Sequence, residues 1–288
     1  MTVALASTRN YSIHRPLAAF SAGGAVALLA GLIGLGGAEF RLPVLIMVFA
    51  LYPHRAIRIN LLISLATLAS ASIVRLRLMP DTQVYSYIPE IVAMSLAGVV
   101  AAWMGAGALS RIPKSRITHV IAALLGVLAV LLVAETFFQT ATALTLPNDD
   151  VLRTVTALIA GVVVGALSSL LGVAGGEFII PTLVLMFGAD IKTAGTASVL
   201  ISIPIVLSGV IRHCLAGKFR SRTMLGYLVL PMSLGSIVGA TVGGFVSVLV
   251  PSEGLRIILA GILVVSAYKL WNKQEVPSNN RLEPQRHE

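Results

Sequence analysis

The stretch GLGGAEFRLP, residues 34–43, interrupts an apolar run with three glycines, a glutamate, an arginine and a proline. At residues 172–181 the chain writes GVAGGEFIIP. Adding 138 to each residue number superposes the two stretches. Gly34 falls on Gly172, Gly37 on Gly175, Glu39 on Glu177, Phe40 on Phe178, Pro43 on Pro181 and Leu45 on Leu183, six identities in twelve positions. The offset holds farther out. LLIS at 61–64 lands on VLIS at 199–202, and Pro113 in RIPKSR lands on Pro251 in LVPSEG. Gly235, Gly239 and Gly243 land on Ala97, Ala101 and Gly105, while Gly161 and Gly165 land on Gly23 and Ala27. Chance supplies one such match but not the set, so the chain reads as a duplicated unit.

Composition decides what surrounds these repeats. Of 288 residues, 57% are hydrophobic and 11% charged, and the mean hydropathy is +0.92. A soluble domain carries about 25% charged residues, so this chain cannot cover a water-facing surface. Its apolar runs of about 17–25 residues match the thickness of a bilayer. The alternating segments of a membrane β-barrel, about ten residues each, are absent. The net charge of +9 and pI near 10.2 come from Lys and Arg in short loops, as the positive-inside rule expects. No basic domain stands outside the membrane to bind nucleic acid, and none is expected as a partner. The single cysteine, Cys214, excludes an intramolecular disulfide and a cysteine metal cluster.

Each half holds four hydrophobic segments. They lie near 17–51, 57–78, 87–109 and 116–135, then near 154–188, 194–212, 223–248 and 254–271, with the glycine motif inside the first of each set. Were each interrupted segment to cross once, the loop with Arg111, Lys114 and Arg116 would lie outside and the acidic linker TLPNDD inside. That contradicts the charge rule. If each interrupted segment enters and returns on one side, those basic loops and both termini are cytoplasmic, and only Arg75 and Arg77 are misplaced. The expected fold class is therefore an all-α membrane protein of two inverted-topology repeats. Each repeat has one re-entrant or broken helix plus three transmembrane helices. The expected divisions are a cytoplasmic tail 1–16, a first repeat 17–136, an external linker 137–152, a second repeat 153–271 and a cytoplasmic tail 272–288. The tail before residue 17 carries Arg9, His14 and Arg15 and reads as the flank of a first membrane segment, not a cleaved signal.

Broken helices in inverted repeats are where transporters build their sites. Irregular backbone survives in hydrocarbon only where protein or a wet cavity satisfies it. Gly34, Gly36, Gly37, Gly172, Gly175 and Gly176 can expose backbone amides, and the helices that follow present their N-termini, which suits an anion. The bland alternative is that these glycines only permit close helix packing. Glu39 and Glu177 read either as N-terminal caps favoured by the helix dipole or as proton-coupling groups, since a carboxyl at depth is costly. Arg41, whose counterpart is Ile179, is a candidate for contacting the anion, for neutralising a glutamate, or for lining a wet vestibule. Asn60, Ser64 and Thr67 follow i, i+4, i+7 on one helix face, and Ser198 and Ser202 repeat the first two. They are candidate donors to an oxyanion or, equally, interhelical hydrogen-bonding groups. His54, His119 and His213 show no metal spacing and read as interfacial; Trp103 and Trp271 read as packing or belt residues. No HExxH, GxSxG or Walker sequence occurs. No enzyme activity, metal or cofactor is expected.

The doubled G-x-G-G-x-x-x-x-x-P pattern, opening each half of a membrane protein of this length, resembles the TauE/SafE family of sulfite and sulfonate exporters. The resemblance covers about residues 17–271. Here Ala38 and Ala174 stand at positions often filled by glycine, and Glu39 and Glu177 where many members carry an apolar residue. The resemblance implies a carrier of small sulfur-containing anions such as sulfite or organosulfonates, in a bacterial inner membrane. The expected activity is secondary transport, proton-coupled through the glutamates, by alternating access between the repeats. A non-transporting assembly or sensor protein and an anion channel remain alternatives. The expected partners are a small-molecule anion and membrane lipid, with a homodimer as a further expectation.

Overall fold

The computed structural model describes residues 16–33, 37–78, 83–109, 113, 118–123, 126, 127, 130, 146, 147, 149–219, 222–246, 261, 264, 265, 267, 268 and 271. Both terminal tails, most of the linker, and most of the fourth segment in each half lie outside them. All regular structure among the described residues is helical. In chain order it comprises α1 (Pro16–Ile33), α2 (Ala38–Met47), α3 (Pro53–Leu78), α4 (Ile88–Leu109), α5 (Asp150–Leu171), α6 (Gly176–Phe187), α7 (Ile191–Leu215) and α8 (Leu230–Val246). A 3-10 turn, Gln83–Tyr87, leads into α4, and a helical turn Arg222–Met224 followed by a π-helical turn Leu225–Val229 leads into α8. Among the described residues, five stretches are long and apolar enough to cross a membrane: Pro53–Ile73, Val84–Gly107, Asp150–Leu171, Thr193–Leu215 and Leu225–Gly243.

Local chemistry explains boundaries that hydropathy misplaced. α3 starts four residues before the expected 57, at Pro53, because proline suits a first helical position where no N–H partner is needed. α5 starts at Asp150, ahead of the expected 154, because the Asp149 carboxylate accepts from the N–H groups of Val151 (2.9 Å) and Leu152 (3.4 Å). The linker's turn-forming aspartate is thus an N-cap.

The bundle is apolar outside and sets a few polar groups within an apolar core. Val92, Leu96, Val100 and Met104 form an exposed stripe on α4, and Leu230, Leu234, Val238 and Val242 form one on α8. The two stripes are related residue by residue through the 138 offset. Arg41, Asn60, Ser64, Thr67 and Ser236 are instead almost fully buried. A four-residue apolar spacing on an exposed face, with polar groups inward, is the pattern of helices solvated by lipid.

Small residues set which helices touch. A methyl built on Gly161 of α5 would overlap the Met94 carbonyl of α4, and one on Gly165 would overlap that of Gly98. Both numbers rise together, so α4 and α5 run the same way. Methyls on Gly235 and Gly239 of α8 would overlap the Phe20 and Gly24 carbonyls of α1, and one on Gly23 would overlap that of Met232. α1 and α8 therefore also run the same way. Each close pair joins one half of the chain to the other, and Gly23 with Met232 is the offset image of Gly161 with Met94. Close approach of glycine-lined backbones provides van der Waals contact where lipid supplies no hydrophobic drive.

α3 and α7 run oppositely: Leu61 of α3 faces Gly209 of α7, and the start of α3 shares a cavity with the turn after α7.

The chain reverses at both glycine motifs. Arg153, near the start of α5, lies 5.3 Å over the ring of Phe187, the last residue of α6. The Leu146 N–H donates to the Met186 carbonyl (2.9 Å). α6 thus runs back to the side from which α5 set out. In the first half, Ser236 bonds to both Arg41 and the Gly23 carbonyl. A straight helix would separate residues 23 and 41 by about 27 Å, so α2 folds back along α1.

Candidate functional site

Gly37 precedes α2 with φ 68° and Gly175 precedes α6 with φ 82°, and neither helix start has a side-chain cap. Positive φ of this kind is strained for any residue with a Cβ. Each helix therefore begins abruptly, with early N–H groups and the positive end of its dipole turned to the break. Pro43 and Pro181 lie inside these helices. Having no N–H, each removes the intrahelical donor that would meet the carbonyl of the glutamate four residues before it. Gly34 and Gly36 lie outside the described residues.

The first break carries a caged cation. Arg41 is fully buried. Its Nε donates to Asn60 Oδ1 (3.0 Å), Nη1 to Thr67 Oγ1 (3.3 Å) and Ser236 Oγ (3.0 Å), and Nη2 to Ser64 Oγ (3.0 Å). Glu39, also fully buried, is its electrostatic neighbour two residues earlier. A buried guanidinium is tolerable only when most of its fork is satisfied, and four neutral oxygens from two helices take four of its five N–H groups. The face 60, 64, 67 foreseen on α3 supplies three of them. Ser236 on α8, from the other half, supplies the fourth.

Asn60 joins the breaks. Its Nδ2 donates to the Ala38 carbonyl at the start of α2 (2.6 Å) and to the Gly172 carbonyl at the end of α5 (2.8 Å). One amide thus holds residues 38 and 172 together across 134 positions of sequence.

Among the described residues, the second break is built from hydroxyls without a cation. Ile179, at the offset position of Arg41, is a buried apolar residue. Ser198 is buried and donates to the Gly195 carbonyl (2.9 Å). A methyl on Gly176 would sit 3.9 Å from Ser198 Oγ, an ordinary contact that leaves room beside the helix start. Ser202, one turn further along α7, and Ser168, one turn before Gly172, each bury a hydroxyl with no hydrogen-bond partner among the described residues. Such a group costs about 1–3 kcal/mol, and a ligand oxygen would relieve it. Glu177 lies in the first turn of α6, with its side chain outside the described residues.

Of the residues singled out in the sequence, the structure brings Arg41, Asn60 and Ser64 together and sets Ser198 against Gly176. Ser236 joins them without a sequence signal, because its offset partner is Gly98 and the repeat marks nothing polar there. Ser168 likewise has no such signal, since its offset partner is Ala30. His213, read as interfacial, lies in the last turn of α7, buried at 5% exposure with its ring edge-on to Phe219. Trp103 has the Arg212 guanidinium 5.1 Å over its ring.

Several apolar helices of membrane-spanning length, packed around buried polar groups at two chain breaks, define a multi-pass membrane protein of transporter type. The profile of the sulfite exporter TauE/SafE family matches residues 19–270, and the chain belongs to that family. It is 28% identical over 231 residues to the "Probable membrane transporter protein YdhB" of Bacillus subtilis (strain 168), covering 80% of this chain and 89% of that protein. No solved structure matches.

Proposed function

We propose that this membrane transporter carries small anions, sulfite or organosulfonates, through a site between the two chain breaks. The observation that carries the proposal is the pair of uncapped helix starts, tied together by Asn60 and flanked by the Arg41 fork and the orphan hydroxyls of Ser168 and Ser202. Amide N–H groups, hydroxyls and one guanidinium are all donors, and a sulfur oxyanion offers only acceptors. The family's description names sulfite. In this reading residues 17–136 and 153–271 are inverted-topology repeats. The same-way pairs α1/α8 and α4/α5, the opposed α3/α7 and the shared 138 offset support it. Rocking of one repeat against the other would expose the site alternately to each side. Arg41 would exchange its serine and threonine partners for the anion, and Glu39 and Glu177 would carry the coupled proton. The reading further includes a homodimer in the bacterial inner membrane.

A thermal-shift screen of the purified protein against sulfite, sulfate, thiosulfate, sulfoacetate, taurine and carboxylates tests the substrate class. Sulfur anions should stabilise it; stabilisation by carboxylates alone would sink the proposal. In proteoliposomes, uptake should saturate and should accumulate substrate under a pH gradient. Glu39→Gln and Glu177→Gln should abolish the gradient dependence, and variants that retain it would exclude the glutamates as coupling groups.

A further inference from the structure

A cavity of about 410 Å³ opens where α3 begins and α7 ends, and Arg55, Arg58 and Lys218 line it together with Gly217, Phe219 and Leu225. The volume falls in the range of small-molecule pockets. Its position follows from the local sequence. Gly217 takes φ 65°, and the N–H groups of Gly217 and Lys218 return to the carbonyls of Cys214 (2.9 Å) and His213 (3.1 Å). This glycine cap ends α7 and swings Lys218 back toward α3. The π-helical turn beginning at Leu225 borders the same space, and such turns often mark functional positions.

The charges here are placed against their own stability. Arg55 and Arg58 lie three apart at the N-terminus of α3, whose first turn holds no acidic residue. Like charges at that spacing repel, and cations oppose the positive end of the helix dipole. No carboxylate lines the cavity among the described residues, and the salt bridge found among them is Arg153 with Glu90, elsewhere. Arg58 donates through Nε to the His54 carbonyl (2.8 Å), which fixes the guanidinium. Its terminal nitrogens, the Arg55 guanidinium and the Lys218 ammonium make no hydrogen bond among the described residues. Behind Phe219, His213 buries an Nε2 that also has no hydrogen-bond partner there. Topology signalling explains basic residues in loops. It does not require three of them to line one half-open cavity.

We infer that this cavity is an oxyanion-binding site, separate from the chain breaks, that takes a sulfate-, sulfonate- or phosphate-type group. The two arginine forks and the ammonium supply the donors, and bound negative charge relieves their mutual repulsion and complements the α3 N-terminus. The group comes either from a free anion or from the headgroup of an anionic lipid, since both present the same tetrahedral oxygens.

The test uses the full chain, stripped of lipid in a neutral detergent, titrated with sulfate or inorganic phosphate against chloride at constant ionic strength. Calorimetry should detect oxyanion binding that Arg55→Gln and Arg58→Gln each weaken by about tenfold or more, the loss of one charge-assisted contact. Lys218→Gln, on an exposed turn, keeps the test decisive if the arginine variants do not fold. In a second arm, native mass spectrometry with phosphatidylglycerol identifies the source. A lipid adduct that these variants lose and sulfate displaces assigns the site to a headgroup. Free-anion binding without such an adduct assigns it to a soluble oxyanion. If neither probe binds, or if binding is unchanged in all three variants, the inference is overturned.

Discussion

At the residue scale, the duplicated motif has diverged at one decisive position. Glycine, glutamate and proline recur, yet Arg41 stands where the copy has Ile179. The structure explains how each is tolerated: Arg41 meets four oxygens, and Ile179 packs in the apolar core. Asn60 is the more critical partner, because it makes three bonds and Ser236 makes two. Ser236→Ala should lower unfolding stability in detergent by about 1.5–3 kcal/mol, the range for a bond to a charged group. Asn60→Ala should cost more, since it also removes the amide that bonds the Ala38 and Gly172 carbonyls. Equal losses in thermal unfolding would contradict the bridging role of Asn60. The sequence revealed the periodic face 60, 64, 67 because helical spacing puts those residues in one row. It could not reveal Ser236, since nothing local links residue 236 to residue 41.

At the element scale, glycine placement does two separate jobs. Gly37 and Gly175 reverse the chain, while Gly161, Gly165, Gly235 and Gly239 let helices from different halves approach. Gly161→Val should disrupt the α4/α5 contact at a cost of about 1–3 kcal/mol or more, as overpacking does. Gly261→Ala, with nothing within 4 Å of the added methyl, should stay within about 0.5 kcal/mol of the parent. Thermal unfolding of the pair separates a packing role from a general intolerance of glycine replacement. The small-residue ladder was legible as a repeat in the sequence, but which helix each ladder meets was not. Both pairings cross between halves, and the linear pattern is equally compatible with packing inside each half.

At the scale of the whole molecule, the halves interlock. α1 and α8 pair, α4 and α5 pair, and Asn60 stitches the first half to the end of α5. Glu90 and Arg153 add a salt bridge of 2.7 Å between α4 and α5 at their starting ends. The lone Cys214 is exposed at the end of α7, close to the basic cavity, and gives a direct reading of orientation. A membrane-impermeant maleimide should label it in inside-out vesicles and not in intact spheroplasts. The reverse pattern would overturn the proposed sidedness, and with it the cytoplasmic location of the basic loops.

Composition and periodicity alone determined that this chain lives in lipid, that it is helical, and that it carries one unit twice with a glycine break in each copy. These follow from solvent matching and covalent spacing, which act along the chain. Tertiary structure decided that the breaks meet through Asn60, that Arg41 is held by residues from both halves, and that cations from the start of α3 and the turn after α7 converge on a cavity. Those facts depend on which backbones can approach closely enough to touch. Packing sets that distance between residues more than a hundred positions apart, and no local pattern records it.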